Sequence, residues 1–173
     1  MKLCKYLFLF LLMSCSTSKV MTDYDTEINF SEFKTYSFFD DIGKDLNELD
    51  LKRIVSSINI EMKELGFNKA KKPDFYINVI SKLSEIQNNN TLGIGVGSSG
   101  RNGGFGISGG IPIGNKKLNE KFTIEFVSAK RDVLIWEGVL VSKIKKNRKP
   151  EEKELHFKEI IKEILASYHF KNK

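Results

Sequence analysis

Few side chains of this sequence have the type and spacing that acid–base chemistry or metal binding requires. His156 and His169 are thirteen residues apart, and no cysteine or group of carboxylates joins them, so they make a poor metal site. Asp23 and Asp25 would point to one side of a strand, and Asp40-Asp41 is a second acidic pair, but catalysis by paired carboxylates also needs a cleft and a raised pKa. No serine lies in a GxSxG elbow. We therefore predict no catalytic, metal-binding or cofactor-binding residues; we interpret the aspartates as turn or strand-rim residues and the histidines as surface or boundary residues.

A glycine-rich stretch contains two literal matches to the GxGxxG pattern of dinucleotide-binding loops, at 95–100 and 104–109. That pattern binds a pyrophosphate only between a strand and the N-terminus of a helix. Neither match is followed by helical periodicity, so we interpret both as chance matches in a glycine-rich loop at 87–115. Glycine at this density loses much entropy on ordering, which favours a mobile loop. Alternating apolar residues within it leave a glycine-rich hairpin as the alternative.

The first residues have the outline of an export signal. A basic start and the apolar run 6–13 end at Ser14 and Cys15. The run is well short of the roughly 20 residues that cross a bilayer as a helix, so we interpret residues 1–14 as a cleaved signal peptide. Leu12-Met13-Ser14-Cys15 also resembles the lipobox of bacterial lipoproteins, which implies cleavage before Cys15, acylation of its thiol and a lipidated tether at 15–18. The alternative is an ordinary secretory signal with an incidental cysteine.

The expected anchor also indicates a compartment. Each buried methylene contributes roughly 0.8 kcal/mol, so two or three acyl chains hold a protein firmly on a membrane. Ser16, in place of Asp, follows Cys15, which under the sorting rule of Gram-negative lipoproteins implies the outer membrane, facing the periplasm. The other cysteine, Cys4, would leave with the signal peptide. The mature chain would then depend on a packed core and not on disulfides.

Hydrophobic periodicity predicts one α+β domain over residues 19–173, with a mainly antiparallel sheet and two amphipathic helices packed on one face. The aromatic and β-branched residues that strands favour, and their alternation with polar residues, predict strands at 20–25, 35–39, 75–83, 122–126 and 133–141. The last two are expected to form a long hairpin.

Two helical stripes separate these strands, from Leu51 to Leu65 and from Phe157 to Tyr168. Asp45, with Glu48 three residues later, predicts a capping box at the start of the first helix. Gly66 is expected to end that helix in the C′ position. Pro150 is expected to begin the second.

The strongest basic run is Lys143 to Lys149. For an exported protein the expected anionic neighbours are phospholipid headgroups or lipopolysaccharide phosphates, and not nucleic acid. The alternative is a solvated connection between a strand and a helix. The formal net charge of the chain, +6, is modest and favours solubility with weak attraction to anionic surfaces.

Segments spread along the chain resemble one known family. They are residues 20–25, residues 29–36, Leu65-Gly66-Phe67, Pro73-Asp74-Phe75 and residues 133–138, in which a tryptophan and a glycine are separated by one residue. These landmarks, with the glycine-rich stretch, resemble the bacterial lipoproteins grouped as domain of unknown function 4136. The resemblance covers nearly the whole mature chain and departs from the expected pattern at Ser128, where an acid is expected before the hairpin turn. It implies no known reaction and no catalytic residues.

These patterns favour a non-enzymatic envelope lipoprotein, held by its N-terminal lipid, that binds or scaffolds an envelope protein or an anionic lipid. The alternative is an envelope hydrolase acting on cell-wall or lipid material, with a site assembled from dispersed residues. A deep cleft with converging carboxylates or histidines would favour the hydrolase, and a shallow surface would favour binding. The expected contact regions are the glycine-rich loop with Arg101 and Phe105, and the basic run.

Overall fold

This computed structural model describes residues 20–86 and 117–168. The predicted signal peptide, Cys15, the glycine-rich loop at 87–115 with Arg101 and Phe105, and His169 lie outside these residues. In chain order the elements are β1 (Val20–Tyr24), a short 3-10 helix (Phe30–Glu32), β2 (Thr35–Phe38), α1 (Glu48–Glu64), β3 (Asn68–Lys69), β4 (Phe75–Glu85), β5 (Lys117–Ser128), β6 (Leu134–Lys145) and α2 (Pro150–Ala166).

The strands form one mixed six-stranded sheet in the order β1-β6-β5-β4-β2-β3. Strands β1, β6, β5 and β4 pair antiparallel, and β5 and β6 form the predicted hairpin. Strand β2, however, runs parallel to both β4 and β3. Parallel neighbours need a crossover connection, which helix α1 supplies between β2 and β4. The sheet is therefore mostly antiparallel with some parallel pairs.

Helix α1 begins at a different N-cap residue from the one expected, so the prediction of a capping box at Asp45 and Glu48 was wrong. Asn47 is the N-cap residue, and its side-chain oxygen accepts a hydrogen bond from the Asp50 backbone N–H at 3.0 Å. The Asn47 side-chain amide also donates to the Asp50 carboxylate at 2.6 Å. Asn and Asp are about equally good N-caps, so residue type alone does not decide between them.

The end of α1 agrees with the prediction at Gly66. This residue has a φ of +78°, a backbone conformation that residues other than glycine rarely adopt. The N–H groups of Gly66 and Phe67 donate to the carbonyls of Lys63 and Met62, each at 2.9 Å. These two hydrogen bonds form a Schellman cap and turn the chain into β3.

Helix α2 begins at Pro150, as predicted. The Glu152 side chain accepts a hydrogen bond from the Lys149 backbone N–H at 2.8 Å, which satisfies a donor at the start of the helix. All six residues of the predicted apolar stripe are buried: Phe157, Ile160, Ile161, Ile164, Leu165 and Tyr168.

One side of the sheet, which we call the covered face, contacts both helices. The Phe122 ring lies 6.1 Å from the Phe157 ring of α2, and the Tyr36 hydroxyl donates to the Asn59 side chain of α1 at 2.8 Å. Because side chains alternate along a strand, the register assigns one set of buried residues to this face: Phe75, Ile77, Val79, Phe122, Ile124, Phe126, Trp136 and Leu140.

The opposite side, which we call the open face, has neither described helix packed on it. It carries the alternate residues of the same strands. Met21 of β1 and Val141 of β6 are 50% and 46% exposed there, while the more central Val139 is buried.

Close packing explains why position 138, two residues after Trp136, is a glycine. A Cβ atom at Gly138 would lie 2.6 Å from Ile164 Cγ2 in α2 and 2.6 Å from Trp136 Cη2. Both distances are far inside van der Waals contact, so a side chain would displace the helix or the indole. Trp136 itself is 1% exposed and lies 4.7 Å from the Phe126 ring, so it anchors the core.

Candidate functional site

A cluster of polar side chains is buried on the covered face. Glu120 of β5 is 2% exposed. One of its carboxylate oxygens lies 2.5 Å from His156 Nε2 in α2, and the other accepts a hydrogen bond from the Ser81 hydroxyl of β4 at 2.9 Å. A buried carboxylate requires such partners, and here two other elements of the fold, β4 and α2, supply them.

The partners of Glu120 decide its charge. Burial alone would raise the pKa of this carboxyl group, because desolvation disfavours the charged form. The hydrogen bonds from His156 and Ser81, and the positive charges of His156 and Arg148, outweigh burial and lower the pKa from its usual 4.5. Glu120 is therefore an ionised internal counter-ion and is not poised as a proton donor.

The order of these groups differs from that of a hydrolytic triad. In a triad the imidazole lies between the serine hydroxyl and the carboxylate, so that it can accept the serine proton. Here the Glu120 carboxylate lies between Ser81 and His156. Ser81 also lines a groove of about 300 Å³, but neither Glu120 nor His156 lines that groove or a second one of about 570 Å³.

Two further polar side chains at this end of the core leave atoms without hydrogen-bond partners in the described part of the chain. They are the Ser142 hydroxyl and two nitrogens, Nε and Nη1, of Arg148. Ser142 lies directly opposite Glu120 in the sheet, and the Arg148 guanidinium lies 5.8 Å from the centre of the Phe157 ring. Arg148 therefore interacts with an aromatic face while its charge still lowers the pKa of Glu120.

The predicted aspartates lie away from this cluster. Asp25 accepts a hydrogen bond from the Glu27 N–H at 2.9 Å and lies 3.6 Å from Arg131. Asp23 is exposed in β1 and accepts from the Tyr24 N–H at 2.9 Å. Asp40-Asp41 lies in the turn after β2. Within residues 20–86 and 117–168, no group of three or more histidine, cysteine or acidic side chains is placed to hold a metal ion.

Charged residues on the open face are arranged in rows across the strands. Asp23, Glu137 and Glu125 occupy neighbouring strands, and Glu137 lies directly opposite both of the others. Asn78 of β4 continues this row and donates to the Glu125 carboxylate at 2.9 Å. Like charges directly opposite one another destabilise a sheet. Other contacts of the fold must therefore offset the repulsion among these three carboxylates.

Lysines occupy one end of the same face. Lys82 lies directly opposite Lys121, and Lys117 directly opposite Lys145. Lys143 lies two residues before Lys145 and so points to the same side. All five are exposed, and we call them the basic end. Among the described residues only Lys145 has an ion pair, with Glu152 at 3.8 Å.

The rest of the chain cannot neutralise these lysines with acidic side chains. All 22 aspartates and glutamates lie within residues 20–86 and 117–168. Residues 87–116, which follow β4 and precede β5 at this end of the sheet, contain Arg101 and Lys116 and no acid. The excess of positive charge is therefore a property of the whole chain, whatever path those residues follow.

Comparison with known proteins identifies the family. The family model described as Domain of unknown function (DUF4136) matches residues 20–168. The chain belongs to this family. The resemblance found in the sequence is thereby confirmed over the whole described domain. No curated protein matches the chain.

Two solved structures resemble this DUF4136 domain. A PDZ domain protein from Parabacteroides distasonis has a TM-score of 0.57 and 15% identity over 87% of this chain, which spans 35% of that protein's chain. A PelC dodecamer from Paraburkholderia phytofirmans has a TM-score of 0.48 and 8% identity over 87% of this chain and 96% of that chain. At such identities the likeness to the first structure concerns the fold alone.

Two of the segments that carried the resemblance, residues 29–36 and 73–75, meet around Asp74. Its carboxylate accepts hydrogen bonds from the backbone N–H groups of Lys34 and Thr35 at 2.9 and 2.8 Å, and from the Thr35 hydroxyl at 2.8 Å. Burial alone would raise the Asp74 pKa, but these hydrogen bonds lower it from the usual 3.8. They fasten the start of β2 to the start of β4. These landmarks therefore have a structural role.

Ser128, where the expected family pattern is broken, also has a structural role. Its hydroxyl accepts a hydrogen bond from the Arg131 N–H at 3.3 Å, inside the hairpin turn. A carboxylate at this position could accept the same bond, so the departure leaves the turn intact. Asp132 completes the turn with a φ of +54°.

Sequence reasoning missed Glu120, although a signal was present. Glu120 is in phase with Phe122, Ile124 and Phe126, the alternating residues that predicted the buried side of β5. A charged residue in phase with a buried row indicates an internal partner. The partner could not be named, because His156 is 36 residues away in sequence.

Proposed function

We propose that this chain is an exported lipoprotein, anchored through lipid on Cys15 to the periplasmic side of the outer membrane, that acts by binding an envelope component. The observation that supports a binding role is the segregation of its charges. Glu120 is hydrogen-bonded to His156 and Ser81 inside the domain, whereas the lysines of the basic end are exposed and, among the described residues, only Lys145 has an ion pair. Exposed charge of one sign attracts and orients a partner.

The start of the domain is compatible with the proposed anchor. Strand β1 begins at Val20, so a single residue, Lys19, separates the proposed tether at 15–18 from this strand. Neither 17-residue helix of the described residues has the length and apolar character needed to cross a membrane. The support for export itself remains the sequence of residues 1–15.

Lipidation is tested by replacing Cys15 with Ala. We expect the wild-type protein to carry acyl mass at a new N-terminal cysteine and to fractionate with the outer membrane. The Cys15→Ala variant should lack that mass and keep residues 1–14. Intact-protein mass spectrometry after fractionation measures both. A mature, unacylated wild-type protein in the soluble fraction would contradict the proposal.

Binding is tested by complementation in a deletion strain with a measurable phenotype. We expect Asp23→Asn, Asp25→Asn and His169→Ala to complement, since a contact function does not depend on those groups. Replacing Lys143, Lys145, Lys146 and Lys149 of the basic run by Gln should abolish complementation.

The matched control removes the same charge elsewhere, by replacing the exposed Lys63, Lys71, Lys72 and Lys130 with Gln. This variant should complement. Both lysine variants need checks of folding and membrane localisation. A folded, correctly localised Asp23, Asp25 or His169 variant that loses all function would overturn the binding role and favour the hydrolase alternative.

A further inference from the structure

We infer that the basic end faces the bilayer and binds the headgroups of anionic phospholipids, which sets the orientation of the domain on the membrane. This inference rests on the lipid anchor proposed at Cys15. It identifies the partner of the exposed lysines, which the proposed function leaves as an envelope component.

The length and direction of the chain before β1 bring the anchor close to the basic end. Five residue steps separate Cys15 from Val20, so the two are at most about 17 Å apart. Val20 lies opposite Leu140, and β6 runs antiparallel to β1, so the start of β1 is directed toward Lys145. Leu140 and Lys145 are also five steps apart along a strand, or about 17 Å. A bilayer that holds Cys15 is therefore within reach of Lys143 and Lys145.

The lysines are arranged as a surface that needs an anionic partner. Lys82 opposes Lys121 and Lys117 opposes Lys145 across neighbouring strands, and like-charge pairs of this kind destabilise the sheet. The sequence holds no acid outside the described residues that could relieve them. A layer of phosphate groups would relieve both pairs together. Lysine suits such a diffuse surface because its ammonium acts as a point charge without the fixed geometry of arginine.

The acidic row is far enough from this surface to leave the contact intact. Glu125 is four residues from Lys121 along β5, which is about 13 Å. The Debye length at physiological salt is about 8 Å. When the basic end meets the headgroups, repulsion between the membrane and Asp23, Glu125 and Glu137 is therefore largely screened. The separation of the two sets of charges along the strands favours one orientation over a domain lying flat.

The experiment uses the mature chain from residue 15 with Cys15→Ser, which keeps every described element and removes the acyl group. Co-sedimentation is measured with three kinds of vesicle: phosphatidylcholine alone, equal parts phosphatidylcholine and phosphatidylglycerol, and phosphatidylcholine with lipopolysaccharide. We expect binding to the phosphatidylglycerol vesicles, weakening steeply with added salt, and little binding to phosphatidylcholine alone. The variant Lys82→Gln, Lys117→Gln, Lys121→Gln, Lys143→Gln should bind at least about tenfold more weakly.

The matched control again replaces Lys63, Lys71, Lys72 and Lys130 by Gln, which makes the same change in net charge on residues outside the basic end. It should bind within about twofold of the parent chain. Equal losses in the two variants would show attraction by net charge and overturn the inference. So would absence of binding to phosphatidylglycerol, or binding to the lipopolysaccharide vesicles alone. Because this chain carries no lipid, such a failure leaves the Cys15 anchor standing, and failed acylation of Cys15 would not alter these results.

Discussion

The two faces of the sheet treat charge in opposite ways. On the covered face the ionised Glu120 has a histidine and a serine as partners, at one end of a core that is otherwise mostly apolar. On the open face Glu137 is directly opposite both Asp23 and Glu125, and lysines oppose lysines at the basic end. The buried Glu120 therefore has its partners inside the domain, whereas the open face keeps exposed charges of which several have no ion pair among the described residues.

This difference separates stability from function in the molecule. Substitutions on the covered face are expected to lower the free energy of unfolding, because each leaves a buried charge without its partner or a cavity that is not refilled. Changes among the open-face charges are expected to alter stability little, and in some cases to increase it, while they alter binding. The following predictions test that separation, beginning with the largest expected effect.

Replacing His156 by Ala should destabilise the domain by about 3–5 kcal/mol, because it leaves the buried, ionised Glu120 carboxylate without its partner in α2. Chemical denaturation followed by circular dichroism measures the free energy of unfolding. Glu120→Gln is the control, since it removes the charge and keeps an acceptor for Ser81. A loss from His156→Ala no larger than that from Glu120→Gln would contradict the role of the charge pair.

The variant His156→Ala should also reverse part of the pH dependence of the free energy of unfolding. In the wild type the lowered Glu120 pKa contributes stability above the usual pKa of 4.5, and this contribution is lost as the pH falls through the lowered value. Without His156, burial should raise the Glu120 pKa, so stability would instead be lost as the pH rises through the raised value. Unfolding curves from about pH 3 to about pH 8 distinguish these two slopes.

Replacing Gly138 by Ala should destabilise the domain by about 1–3 kcal/mol, because the new Cβ would overlap Ile164 and Trp136. The double variant Gly138→Ala, Ile164→Ala should be less destabilised than the sum of the two single variants, since removing the Ile164 side chain frees space for the new methyl group. Thermal or denaturant unfolding measures all three. Strict additivity would show that the contact is not the cause.

Replacing Lys82 by Glu should move stability and binding in opposite directions. The new carboxylate would lie opposite Lys121 and should stabilise the sheet by about 0.2–1 kcal/mol. Binding to phosphatidylglycerol vesicles should fall, because the basic end loses one positive charge and gains a negative one. Lys72→Glu, on an exposed turn, is the control and should change vesicle binding less. A parallel fall of stability and binding would show that the lysine is structural.

The smallest effect is expected at the acidic row. Glu137→Gln should stabilise the domain by a few tenths of a kcal/mol, because Glu137 is opposite both Asp23 and Glu125. Glu85→Gln is the matched control, since Glu85 pairs with the uncharged Leu118. The difference between the two variants should shrink in high salt. Destabilisation by Glu137→Gln would mean that this carboxylate has a stabilising partner.

Much of the local structure was predictable because it depends on neighbours in the sequence. The stripe from Phe157 to Tyr168, the helix stop at Gly66 and the β5–β6 hairpin are each set by a periodicity or by a single backbone requirement. The start of α1 was not predictable, because Asp45 and Asn47 are both good caps and only packing chooses between them. The parallel direction of β2 was also not predictable, because four residues of alternating pattern carry no direction.

The sequence by itself determined the family, the helical stripes, most of the strands and the excess of positive charge. Only the tertiary structure decided which charges meet. It placed His156 beside Glu120, and Asp74 beside Lys34 and Thr35. On the open face it placed lysines opposite lysines and carboxylates opposite carboxylates. The physical reason is that periodicity assigns a residue to a face, whereas strand order and register, which depend on contacts between distant parts of the chain, assign its neighbours.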